Sequence, residues 1–418
     1  MASGAAGLAG AGYALVRFSP EQGLLQPCRA SLPGEIAKDP VIASAWDGID
    51  PSQVWDCHVH LVGVGDGGSG IRVNPRMNSL LNPWEYVQKL FYLNAGCAHY
   101  APGRVDQTFV ERMHNLVDGL RPGVKLMLLA LDQYHSEAGV PQPEHTSIYT
   151  PDAYAERMAR EYSDYFEWIA SVHPYREDCV EALEWAARRG ARAVKWLPAA
   201  QGIDPASARC STFYDALVRL GLPLLSHAGG EWAVSTPGGD DPGNPLKLRT
   251  PLDHGVRVIV AHCATLGADR DLDRGPRGPH VPSIELFARL MADSRYERLL
   301  FGDISGVTQV NRMQHLKTIL EHQDWHPRLL NGSDYPLPGV MPLFSVNGLI
   351  DLGVIDPRLG NLLRSVREAN PLLFDFLVKR NLRWEGRGFP AAVFETRPFF
   401  DHIGRASENS SRAPVSSR

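Results

Sequence analysis

The chain has 418 residues, 44% of them hydrophobic and 21% charged, with a formal net charge of -5. Such a length holds one large α/β domain or two ordinary ones, and without a basic excess the partner class is small molecule or protein rather than nucleic acid. The six cysteines, Cys28, Cys57, Cys97, Cys179, Cys210 and Cys263, form no Cys-x-x-Cys pairs, which argues against a disulfide scaffold and a zinc ribbon and favours a reduced state.

In chain order, residues 1–50 read as an N-terminal arm. Its apolar run Ala5 to Val16 is too short for a confident membrane span, and no basic residue precedes it; it reads as a trimmed anchor or export remnant, or as a flexible or docked arm. A cytoplasmic location is the expectation, with a periplasmic or membrane-tethered one if the arm is such a remnant.

The run "VWDCHVH" (Val54 to His60) is strand-like, and because positions i and i+2 share a strand face, His58 and His60 project together. After it, Leu61 to Gly123 exceeds the length of one crossover. This stretch is predicted to be an insertion over the barrel mouth, with helices in "NPWEYVQKLFYLNAG" and "VDQTFVERMHNLVDGL". Seven further strand-length runs follow: "VKLMLLALD", "FEWIASVHP", "ARAVKWLP", "PLLSHAG", "VRVIVAHC", "LLFGDISGV" and "PRLLNGSDYP". Each leads to at least one amphipathic helical stretch, including Ala153 to Tyr165 and a terminal helix near Leu362 to Val378. The pattern predicts an α/β fold, a (β/α)8 TIM barrel over residues 51–380 with an insertion after the first strand. A doubly wound open sheet is the rival, but no Gly-x-Gly-x-x-Gly follows any strand. Residues 381–418 form a C-terminal extension ending in a polar, disordered tail from Ser407 to Arg418.

Ligand-type residues recur near the C-terminal strand ends: His58 and His60 on the first, Lys195 on the fourth, His227 on the fifth, His262 on the sixth, Asp334 on the eighth. In a parallel barrel those ends converge on the face that carries active sites. Each has a bland counterpart: a core histidine on a backbone carbonyl, an ion-paired lysine, a helix-capping aspartate. Five separate segments placing such residues at strand ends outweigh that account. Imidazole and carboxylate suit a divalent metal, zinc first, which acidifies a bound water.

The ordered set "DCHVH", "VKWLP", "LLSHAGGE", "VIVAHC" and "NGSDYP" resembles the amidohydrolase superfamily over about Val54 to Phe376. It looks most like the second large family there, which includes non-oxidative decarboxylases of aromatic and unsaturated acids. The resemblance implies one principal metal on His58, His60, His227 and Asp334. It also implies that Asp334 accepts a proton from the attacking water, and that His262 binds a second metal or acts as base or electrophile. Carboxylated, Lys195 would complete a two-ion site, the preferred expectation; unmodified, it leaves one ion.

Around the same mouth, His173, Trp196, Asp303 and Arg249 are candidate substrate contacts. Glu231 is a candidate partner of His227, and Arg270 and Arg312 are candidate anion binders whose plainer role is a surface ion pair. Cys57 and Cys263 alternate away from the ligands and read as packing. Three functions compete: a hydrolase of an amide, ester or lactone; a one-metal decarboxylase or lyase; and a barrel that only binds. A small-molecule substrate and a homodimer through outer helices complete the expectation.

Overall fold

A computed structural model of the chain describes residues 21–239 and 241–401; the apolar run Ala5 to Val16 and the tail from Ser407 lie outside them. Eight strands run in chain order: β1 Trp55–His60, β2 Lys125–Leu129, β3 Phe166–Ile169, β4 Val194–Trp196, β5 Leu224–Ser226, β6 Val258–Val260, β7 Leu300–Asp303 and β8 Leu329–Leu330. They form a three-stranded arc, β1 to β3, and a five-stranded arc, β4 to β8, with every pairing parallel. Two seams join the arcs. At one, Ala170 bridges Val194 and accepts a bond from Lys195 N at 2.7 Å. At the other, Val59 bridges Tyr335, and Cys57 N donates to Asn331 O at 3.1 Å. Eight parallel strands therefore close into the predicted barrel.

The strands alternate as the pleat requires. Trp55, Cys57, Met127, Leu129, Ile169, Leu225, Ile259 and Leu330 pack on one another inside the barrel. Their neighbours Leu126, Leu128, Phe166, Trp168, Val194, Leu224 and Val258 join the larger core that also holds the helices. Phe400 closes the inner cluster, and Thr396 Oγ1 donates to Trp55 O, so residues 394–400 of the C-terminal extension are packed into the barrel base.

The helices α1 Pro83–Ala95, α2 Val105–Asp118, α3 Asp152–Glu161, α4 Cys179–Arg188, α5 Ser211–Leu220, α6 Arg249–Asp253, α7 Ser283–Ala292 and α8 Leu316–Glu321 follow the sequence periodicity. The single terminal helix expected over 362–378 is two, α9 Gly360–Ala369 and α10 Pro371–Asn381. Pro371 cannot continue α9, and the Asn370 side chain accepts from Leu373 N at 3.0 Å to start α10.

One expectation is overturned. Cys28 and Cys97 are joined in a disulfide, with Cα atoms 5.7 Å apart and a sequence separation of 69. A spacing test sees only local pairs, and this bond ties the N-terminal arm to the end of α1; such bonds persist in oxidising compartments. The other four cysteines are free and buried. No helix among the described residues is long and apolar enough to cross a membrane.

Candidate metal centre and its cavity

A register irregularity between Asp56 and Val59 interrupts the β1–β2 pairing. Below it Trp55 and Cys57 face the barrel interior; above it His58 and His60 line a cavity at the C-terminal mouth. The irregularity thus re-aims the strand so that consecutive residues 57 and 58 both turn inward, as bulges near active sites do. From the opposite seam, Gly332 makes room: a Cβ there would lie 2.6 Å from His58 Cβ. Asp334 follows in a left-handed conformation, φ 63, its amide donating to His58 O at 2.8 Å.

Three side chains converge. His60 Nε2 lies 3.3 Å and His58 Nε2 3.6 Å from Asp334 Oδ1. Donors bound tetrahedrally to zinc at the usual 2.0–2.1 Å stand roughly 3.3 Å apart, so the spacing fits a divalent ion. The tautomer fits too. His58 Nδ1 donates to Asp303 Oδ2 at 2.9 Å, which leaves Nε2 as the ring's lone-pair atom. Burial lowers the His58 pKa to about 4, so this contact is a neutral imidazole on a carboxylate, the arrangement that orients metal-binding histidines.

Asp303 is buried, and both its oxygens are hydrogen-bonded. Its Oδ1 also accepts from His262 N and Ser305 N, each at 2.9 Å. Although burial opposes its charge, the His58 contact holds its carboxyl far below the usual range. A second grouping of His58, His262 and Asp303 lies within ligand reach, with Asp303 Oδ2 engaged by His58 and Oδ1 by the backbone amides of His262 and Ser305.

His262, Cys263 and Ala264 run left-handed at φ 55, 49 and 50. Non-glycine residues in that region carry strain and cluster at functional sites. The turn brings His262 Nδ1 to Ser305 O at 2.9 Å and Nε2 to 3.9 Å from Asp334 Oδ2. Burial depresses the His262 pKa well below its ordinary value. Asp334 Oδ2 also accepts from Gln309 Nε2 at 3.2 Å. Burial works against the Asp334 charge, but the neighbouring imidazoles of His262, His60 and His58 hold its carboxyl well below normal.

Lys195 is fully buried and donates to His58 Nε2 at 3.1 Å; desolvation lowers its pKa. His227 lines the same cavity with its ring 5.3 Å, centroid to centroid, from that of His262, and is not one of the three side chains that converge at Asp334 Oδ1. Its Nε2 donates to Gly230 O at 3.1 Å and its Nδ1 lies 3.4 Å from Glu231.

Four predicted contacts do not reach the cavity. Trp196 points away from Lys195, as the pleat demands, packing on Phe213 and Tyr214 and donating to Val172 O at 3.0 Å. His173 donates to Gln201 O at 2.9 Å and packs at a tilt against His135, with ring centroids 4.3 Å apart. Arg249 pairs with Asp273 at the surface. Asp303 lies beneath the ligands rather than beside a substrate. Conversely, Arg312, a candidate anion binder whose plainer role is a surface ion pair, is 5% exposed and lines the cavity with Gln309 and Asn311.

The cavity, about 330 Å³, has an apolar upper wall that no ligand motif announces. Trp84, Val87, Phe91 and Tyr92 of α1 face Trp232, Ala233 and Val234 of the β5–α6 loop. Gln88 Nε2 donates to Trp232 O at 2.8 Å, and the Tyr92 hydroxyl to Ala233 O, tying the two segments together.

The model of the family described as Amidohydrolase matches residues 55–342. No curated protein matches the chain. Among solved structures, an uncharacterized TIM-barrel protein from Bordetella bronchiseptica is similar at 14% identity and TM-score 0.42, covering 76% of this chain and 99% of its own. The 4-oxalomesaconate hydratase of Rhodopseudomonas palustris is similar at 12% identity and TM-score 0.40, covering 86% and 100%. The 5-carboxyvanillate decarboxylase of Sphingomonas paucimobilis gives 11% identity and TM-score 0.37, with 76% and 97% covered.

Proposed function

The chain belongs to the amidohydrolase family, and from that premise we propose that it is a hydrolase dependent on one divalent metal ion, acting on an amide, ester or lactone carbonyl. The observation that carries this reading is the Asp303–His58 pair, which fixes His58 Nε2 toward His60 and Asp334. His58, His60 and Asp334 would hold the ion, three protein ligands being the usual catalytic number. Such an ion, zinc first, supplies Lewis acidity and makes water acidic enough to act as a nucleophile near neutral pH.

The chain's own groups do the rest. Asp334 Oδ2, facing Gln309 and His262, accepts the proton of the attacking water and returns it to the leaving group. His262, with Nδ1–H committed to Ser305 O and its ring held neutral by burial, presents an unprotonated Nε2 to the substrate as a hydrogen-bond acceptor. The apolar lining lowers the polarity around these groups, which strengthens each of these interactions. Lys195 carboxylation and a second ion are not part of this reading, because the Lys195 amine is engaged with His58 Nε2 and His227 with Gly230 O and Glu231.

A one-ion site also suits decarboxylation of a chelated acid, and the test separates the two by product. Protein purified without chelators is expected to hold about one equivalent of a divalent metal and to hydrolyse members of a panel of aryl esters, lactones and amides. Carbon dioxide release from aromatic acids without hydrolysis would move the assignment to a lyase. Undiminished turnover after complete metal removal would end both readings.

A further inference from the structure

Arg312 sits in the loop after β7 with 5% of its surface exposed. Its Nε and Nη1 have no hydrogen-bond partner, and among the described residues it makes no ion pair. The charges nearest in effect are Asp334, Glu231 and Asp303, each engaged elsewhere: Asp334 with the histidines, Glu231 with Ala233 N and His227, Asp303 with His58.

The two other buried arginines among the described residues show what a structural guanidinium looks like: Arg112, 8% exposed, donates to Asn115 Oδ1 and to Ala369 O, each at 2.8 Å, although its Nε is also unpaired. Arg367, 1% exposed, donates to four carbonyls, those of Pro338, Phe344, Val340 and Met341. A buried cation without such partners keeps its full desolvation penalty uncompensated. Arg312 lines the same cavity as the metal cluster, and beside it Asn311 Oδ1 is also unpaired.

We propose that Arg312 is the receptor for a substrate carboxylate, and that the enzyme's substrates are amphipathic carboxylic acids. Their apolar body lies against Trp84, Phe91, Val234 and Leu343, while the bond to be cleaved faces Asp334. A guanidinium offers two parallel N–H groups in a plane that matches a carboxylate, and the low-polarity surroundings strengthen the pair. The inference deepens the hydrolase reading and rests on it only in taking the cavity for the active site.

The test is a binding titration on the full, as-purified protein, read by the change in its intrinsic tryptophan fluorescence, to which Trp84 and Trp232 in the cavity wall contribute. The probes are 4-phenylbutyrate and its neutral amide, 4-phenylbutyramide. The carboxylate is expected to bind at least about tenfold tighter than the amide. Arg312→Met should abolish that preference while leaving amide affinity, metal content and thermal stability unchanged or stability raised; Arg312→Lys should retain part of the preference. A structural role would instead destabilise the Met variant. Equal binding of the two probes, or a preference that survives Arg312→Met, overturns the proposal. The metal-poor His58→Ala variant separates the two readings. A preference that persists there places the carboxylate on Arg312 rather than on an ion, whatever becomes of the hydrolase assignment, and a preference lost there overturns the Arg312 proposal.

Discussion

The floor and the upper wall of the cavity are built on different terms. On the floor, His58, Lys195, Asp303 and Asp334 are sealed from solvent, and a chain of contacts links them through His58. On the wall, Trp84 is 70% and Trp232 59% exposed, and the segments that carry them are joined by two side-chain hydrogen bonds and anchored by a disulfide. Rigid strands can hold a few polar atoms to within fractions of an ångström, whereas an inserted helix sets shape and access. Chemistry should therefore fail abruptly when the floor is altered, and selectivity should drift when the wall is.

The largest effect is expected at the centre of the floor. His58→Ala should remove bound metal and lower turnover by at least about a thousandfold, checked by elemental analysis beside steady-state rates. Substantial activity in that variant would mean that the floor is not the reaction centre.

Next comes the anchor of the wall. Replacing Cys28 and Cys97 with serine is expected to cost about 2–4 kcal/mol of unfolding free energy, measured by denaturant titration. Faster hydrogen exchange over residues 83–96 should accompany it, with the metal retained. An unchanged exchange pattern would show that the wall stands without its tie.

Asp303→Asn keeps the shape but removes the charge that orients His58, and should weaken metal affinity about 10–100-fold in chelator competition. Loss of folding instead would make Asp303 a structural group. The smallest effect is expected from Trp84→Ala, a several-fold rise in KM with kcat and metal content held, roughly 1 kcal/mol of uniform binding. A fall in kcat of the same size would blur the division between wall and floor.

How far the sequence could be read follows the same division. The period-two rule that puts His58 beside His60 is a property of any strand, and the convergence of strand ends is a property of any parallel barrel, so the fold and the meeting of His58, His60 and Asp334 could be reasoned from residues, while Asp303, read as a substrate contact, lies beneath His58 instead. Applied consistently, the same rule sends Trp196 away from Lys195, and the tryptophan packs outside accordingly. The bulge after Asp56 leaves no compositional mark, and neither does the burial of Arg312, since loops carry no periodicity from which an inward direction follows. His173 was legible as a strand-end residue but lies beyond the end of β3, where the chain has already turned to meet Gln201. The Cys28–Cys97 bond depends on the docking of an arm across 69 residues, which local spacing does not encode.

The left-handed run His262, Cys263, Ala264 sets up a trade-off for anyone redesigning this protein. A glycine at 264 would relax a backbone that L side chains resist, a gain of about 1 kcal/mol, yet it would loosen the turn that aims His262 Nε2. Thermal stability should rise while turnover falls, so a library screened for heat resistance alone would drift toward a sturdier and slower enzyme.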